Sequence, residues 1–116
     1  MEHAARGAQA AGGLTVGLLP TEDPDDANPY IDVAIATGVG HGRNAILART
    51  ADGVIAIGGG LGTLSEIALA LRDGRPIIGI RTWRFDRDGR TEPELPIAAN
   101  PTEGLDWLFQ RMPRGA

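Results

Sequence analysis

The sequence predicts an open α/β fold, a parallel sheet with helices on both faces. Two observations carry this. Short apolar runs recur at Leu14–Leu19, Asp32–Ala36, Val54–Ile57 and Pro76–Ile80, with helix-compatible stretches between them. Most of these runs are apolar without alternation, as befits strands covered on both faces and therefore paired in parallel.

Taken in order, Met1–Ala11 is alanine-rich and helix-favouring, and Gly12–Gly13 end it. Leu14–Leu19 (LTVGLL) reads as a buried strand and Pro20–Pro29 (PTEDPDDANP) as a polar, proline-punctuated loop. Asp32–Ala36 is a short strand, Gly42–Thr50 a helix of mixed polarity, and Val54–Ile57 a strongly apolar strand. Thr63–Asp73 reads as a helix, with Leu64, Ile67, Ala68 and Leu71 on one face, closed by Gly74. Pro76–Ile80 is the next apolar strand, and Arg81–Glu94 a charged, exposed loop. The last helix is expected over Asn100–Met112. There Asn100 caps, Pro101 takes the first helical position and Glu103 is placed for the reciprocal contact. Leu105, Leu108, Phe109 and Met112 form its buried stripe. The chain opens on a helix with no strand before it, although parallel sheets pass from strand to strand through crossovers. The expectation is therefore a single partial domain over residues 1–116 that lacks its first strands.

Composition narrows the chemistry. A chain of 116 residues, 42% hydrophobic, suits one domain with a modest core. A net charge of −4 gives no electrostatic case for nucleic acid as a partner. No apolar run approaches the roughly 20 residues of a membrane helix, and the N-terminus lacks the layout of a signal peptide. Cysteine is absent, which excludes disulfides and thiolate metal sites and makes the cytoplasm the expected compartment. All eleven basic residues are arginine. Without lysine there is neither Schiff-base chemistry nor a P-loop of the G-x-x-x-x-G-K-[ST] type. His3 and His41, the only histidines, lie on different elements, so no metal site is expected.

The sharpest feature is GGGLGTLSE, Gly58–Glu66, between the Val54–Ile57 strand and the following helix. Ligands of open α/β sheets bind at the carboxyl ends of strands, where helices begin. A helix start offers unpaired N–H groups and the positive end of the dipole, and glycine lets a phosphate approach that backbone. Gly58, Gly59, Gly60 and Gly62, with Thr63, thus read as a phosphate cradle. A tight strand-to-helix turn would need only one or two glycines. Gly60, Gly62 and Ser65 match the dinucleotide fingerprint poorly, and the next strand leads into Arg81 rather than an acidic residue. Glu66 has two readings. With Thr63 it forms a T-x-x-E capping box; alternatively it sets a carboxylate one turn from a bound phosphate. A second cluster, TGVGHGRNAIL (Thr37–Leu47), also joins a strand to a helix. Arg43 can clamp an anion, and His41 and Asn44 can hydrogen-bond a base or ribose. The plainer readings are a solvated Arg43 and an exposed or structural His41.

Gly58–Glu66 resembles the P-G-G-x-G-T-x-x-E motif of the LONELY GUY family, Rossmann-like proteins once labelled lysine decarboxylases. Gly40–Leu47 (GHGRNAIL) resembles that family's arginine segment. The overall pattern is closest to a bacterial branch of the SLOG superfamily similar to molybdenum-cofactor carrier proteins. In the enzymes of the superfamily this implies hydrolysis of the N-glycosidic bond of nucleoside 5′-monophosphates, giving free base and ribose 5-phosphate. Gly59, Gly60, Gly62 and Thr63 then match the phosphate loop, Arg43 the catalytic arginine and Glu66 the catalytic glutamate. Gly58 stands where the enzymes have proline, and Asn44 where they have lysine. Both departures are features of the carrier-like branch and bear on hydrolysis rather than on phosphate binding.

The resemblance further implies a homodimer or larger assembly and a phosphorylated small molecule as partner, with no required cofactor. It also implies that the family's leading strands precede Met1. Three readings stand at this point. One is a binding protein for a nucleotide or for the molybdenum cofactor; one is a nucleoside-monophosphate hydrolase; one is a remnant without a complete site.

Overall fold

Two short parallel ladders organise the chain in this computed structural model, which describes residues 1–112. The last four positions of the expected 1–116 domain lie outside the described residues. The chain divides into two compact units, Met1–Arg43 and Asn44–Ala116. Among the described residues no helix is long and apolar enough to cross a membrane.

In the first unit, helix α1 (Glu2–Ala10) ends where Gly12 turns to φ 83° and Gly13 N–H returns to the carbonyl of Ala8 at 2.8 Å. Glycine takes this left-handed conformation without the Cβ penalty of other residues. Strands β1 (Val16–Leu19) and β2 (Val33–Ala36) pair in parallel, Val16 opposite Val33 and Leu19 opposite Ala36. Asp32 clips the unit together at the base of this ladder. Its carboxylate accepts from Thr15 N–H at 2.9 Å and from Gln9 Nε2 at 3.0 Å. The Thr15 N–H, then Gln9 and the Thr15 hydroxyl, hold the Asp32 carboxyl below its ordinary pKa. The expectation of strands covered on both faces is not met here. Val16, Val33 and Ile35 are 50%, 43% and 45% exposed, and the alternation of side chains puts all three on one face.

The second unit meets that expectation. Strands β3 (Val54–Ile57) and β4 (Ile77–Ile80) pair in parallel, Ile57 opposite Ile80, and all of β4 is buried. Val54, Ala56 and Ile77 face a core that also holds Ala48 of helix α2 (Arg43–Thr50) and Ile67 and Ala70 of helix α3 (Leu61–Arg72). Ile55, Ile78 and Ile80 face the opposite way, onto Leu108 and Trp107 of helix α4 (Pro101–Phe109). Helices therefore cover both faces of this ladder.

Three sequence expectations are corrected in this unit. Helix α3 buries Ile67 and Ala70 while Ala68 is exposed, because the small Ala70 lets the helix lie close on the sheet. Likewise α4 buries Gly104 and Leu108, whereas Leu105 and Phe109 face solvent. The charged segment Arg81–Glu94 is not wholly exposed either, since Trp83 and Phe85 pack against the core. At the α4 cap Asn100 Oδ1 accepts from Glu103 N–H at 2.9 Å as expected, whereas Glu103 Oε2 accepts from the N–H of Ala99, one residue before the cap, at 3.4 Å.

Candidate functional site

The glycine loop lies at the carboxyl end of β3. Gly58 and Gly59 take φ 62° and 132°, which other residues adopt only under strain. Gly59 is doubly constrained, since a Cβ there would fall 2.8 Å from the Cβ of Thr63. Gly60 is extended (φ −95°, ψ −158°) and is the N-cap of α3, with no side-chain cap. The helix thus begins two residues before the sequence expectation, and Gly62 and Thr63 belong to its first turn. The reason is backbone pairing: Leu64 N–H donates to the carbonyl of Gly60 at 3.1 Å.

This overturns the capping-box reading of Thr63 and Glu66. Thr63 is the third helical residue rather than the cap, and Glu66 lies a turn beyond the N-terminal N–H groups. Those of Gly60, Leu61, Gly62 and Thr63 have no acceptor among the described residues. Four unpaired donors and the positive end of the dipole converge where the glycines remove steric cover. Glu66 is half-buried, and no hydrogen bond or ion pair engages its carboxylate among the described residues.

The parallel register adds a wall that sequence reading missed. Because Ile57 stands opposite Ile80, both strands end at the same edge, and Gly58 N–H donates to the carbonyl of Ile80 at 3.1 Å. The residues after β4 therefore flank the glycine loop. Arg81 turns sharply at φ 48°, and Trp83 Nε1–H donates to the Gly60 carbonyl at 3.2 Å, pinning the two loops together. Gly58, Gly59, Arg81, Thr82, Trp83 and Arg84 line a cavity of about 420 Å³. The Thr82 hydroxyl is buried without a hydrogen-bond partner among the described residues. Unpaired buried hydroxyls are rare in folded proteins, so a ligand oxygen here would satisfy it. The sequence signal for this wall is the apolar run ending in arginine, Ile77–Arg81, read together with the parallel pairing.

The remaining candidates lie on other elements. His41 is exposed on a 3-10 turn, Gly40–Gly42, in the first unit. Arg43 closes that unit, and its Nη1 donates to the Leu18 carbonyl at 3.2 Å, so it is not simply solvated. Asn44 opens the second unit and is 2% exposed. Among the described residues, no group of three or more His, Asp or Glu side chains is arranged to hold a metal ion.

Comparison with known proteins places this geometry in a lineage. The model of the SLOG cluster4 family matches residues 1–104. An uncharacterized protein of Archaeoglobus fulgidus is 44% identical over 81 residues, which cover 70% of this chain and 53% of that protein. The chain thus spans about half the length of this curated relative. The molybdenum cofactor binding protein from the phototrophic bacterium Rippkaea orientalis superposes with a TM-score of 0.82 at 38% identity, over 95% of this chain and 69% of its own. The molybdenum cofactor carrier protein from Chlamydomonas reinhardtii gives a TM-score of 0.73 at 29% identity, over 95% and 68%.

Proposed function

The chain belongs to the SLOG cluster4 family, and on that premise we propose that it binds a phosphorylated cofactor as cargo, of the molybdenum-cofactor or nucleotide class, through the glycine loop that opens α3. The observation that carries this reading is the set of unpaired N–H groups at Gly60–Thr63, directly after the Gly58–Gly59 turn that lines a cavity together with Arg81 and Arg84. Backbone donors, a helix dipole and two guanidinium groups form an anion site without lysine. The same residues fit a pterin cofactor that ends in a phosphate. The glycine loop would hold the phosphate, and Thr82 would supply a hydroxyl donor to a neighbouring oxygen. The cofactor would bring its own redox chemistry, while the protein would bind and shield it. Similarity to the two molybdenum cofactor proteins supports the class of cargo.

Gly60→Asp tests this cleanly. A Cβ at Gly60 meets nothing within 4 Å, and aspartate is a favoured N-cap, so the variant should fold as stably as wild type or more so. It also puts a carboxylate where the phosphate should sit. Loss of saturable binding of GMP and of inorganic phosphate, with the melting temperature retained, is the expected calorimetric result. Undiminished binding in a folded Gly60→Asp would sink the cradle.

One observation favours a second reading, hydrolysis of nucleoside 5′-monophosphates. Relieved of any capping contact, Glu66 is a half-buried carboxylate without a partner among the described residues. In that reading it stabilises the oxocarbenium-like ribose or orients water. Free adenine released from AMP by wild type but not by Glu66→Ala would establish it. We further infer a homodimer or larger assembly, supported by the exposed apolar face of β1 and β2.

A further inference from the structure

We propose that the segment after β4 builds a second compartment that takes the heterocycle of the phosphorylated ligand, with Asp86 reading an amino-bearing, hydrogen-bond-donating ring edge of the 2-amino-4-oxopyrimidine type. The inference rests on the phosphate-binding reading above and goes beyond it by naming the recognised ring.

A cavity of about 470 Å³ is lined by Arg84, Phe85, Asp86, Thr91, Leu95 and Ile97. Arg84 also lines the cavity at the glycine loop, so the two compartments meet at one side chain. This volume lies within the range of small-molecule sites. Its lining divides by chemistry. Phe85 packs on the core and Leu95 is buried, giving a largely apolar floor suited to a flat ring. Ile97 is held in place because its neighbours join β4: Gly79 N–H donates to Pro96 at 2.8 Å, and Ala98 N–H to Gly79 at 2.8 Å. The wall is therefore an extension of the sheet.

Its charged groups are of opposite sign, Arg84 and Asp86, and such groups orient a ligand. Asp86 is fixed by a hairpin turn in which Arg87 and Arg90 exchange backbone hydrogen bonds of 2.7 and 3.1 Å. Asp88 and Gly89, at its centre, take φ 52° and 77°, and Gly89 N–H donates to Asp86 Oδ1 at 2.9 Å. The other carboxylate oxygen has no partner among the described residues. An ionised carboxylate only accepts, so its complement is an edge with adjacent N–H donors. Arg84 only donates, so it suits a carbonyl or phosphate oxygen. A ring edge with adjacent amino and ring N–H groups, beside a carbonyl, satisfies both. Guanine has that edge, hypoxanthine lacks the amino group, and adenine presents a ring acceptor beside its amino group.

Calorimetric titration of the full chain with GMP, IMP, AMP and inorganic phosphate tests the assignment. The expected result is GMP binding at least about tenfold more tightly than IMP, since a site built for an N–H rejects the analogue lacking it. Asp86→Asn keeps an oxygen for Gly89 N–H and should bring the GMP-to-IMP ratio near one with phosphate affinity unchanged. Ile97→Phe, which fills the compartment, should weaken GMP and spare phosphate. Equal affinities for GMP and IMP in wild type, or a ratio unmoved by Asp86→Asn, overturn the ring subsite while leaving the cradle intact. Absence of phosphate and GMP binding in wild type overturns the cradle and this inference together.

Discussion

At the residue scale, the structure separates what a side chain does for folding from what it does for a ligand. Arg43 is the instructive case. Its resemblance to a catalytic arginine suggests that Arg43→Ala should abolish function, but the same guanidinium donates to Leu18. A hydrogen bond from a charged group contributes about 1.5–3 kcal/mol, and Arg43 is partly exposed, so the low end applies. Arg43→Ala should therefore lower urea-unfolding stability by about 1.5 kcal/mol; unchanged stability would show that the contact is idle. Asp32 carries the pH dependence. Its folded-state pKa is depressed, so its contribution is present above the ordinary carboxylate value and fades as pH falls through the depressed one. Asp32→Asn should flatten the acid limb of the stability profile below about pH 4. A limb identical to wild type would remove Asp32 from the account.

At the scale of elements, glycines decide where segments can touch. Gly79 sits in the fully buried β4, where an added Cβ would fall 2.5 Å from Thr82 Cγ2 and 3.1 Å from Ile97 Cδ1. Gly79→Ala should cost about 1–3 kcal/mol by overpacking and also weaken ligand binding, because Thr82 must shift. Stability and affinity both unchanged would mean the neighbours yield freely. Helices α3 and α4 were legible in the sequence because long apolar periods and an Asn-Pro start are strong signals. Their buried faces were less legible. Periodicity selects large apolar residues such as Leu105 and Phe109, whereas close approach to a sheet selects Ala70 and Gly104. The glycine loop was readable from composition alone. Its second wall was not, because Arg81–Arg84 meets Gly58 only through the pairing of β3 with β4. The Asp88–Gly89 turn carried a readable hairpin signal, hidden by the charge around it.

At the scale of the whole molecule, the two ladders contrast in a way that single strands could not show. Both are parallel, and both were expected to be buried from their apolar runs. Among the described residues, only β3 and β4 have helices on each face; β1 and β2 show Val16, Val33 and Ile35 to solvent on a common side. Parallel sheets are stable almost only when both faces are covered, and contiguous exposed apolar surface marks an interaction site. The 116-residue chain should therefore self-associate in a concentration-dependent way, with this face as the contact. Sedimentation velocity over a hundredfold range of concentration is the measurement. Replacing Val33 and Ile35 together by threonine keeps β-branched side chains suited to strands while adding hydroxyls. This pair should shift the population toward monomer while leaving phosphate affinity intact, since neither residue lines the cavity at the glycine loop. A wild-type chain that stays monomeric throughout that range, with a cooperative melt, would mean that this exposed face is tolerated without a partner.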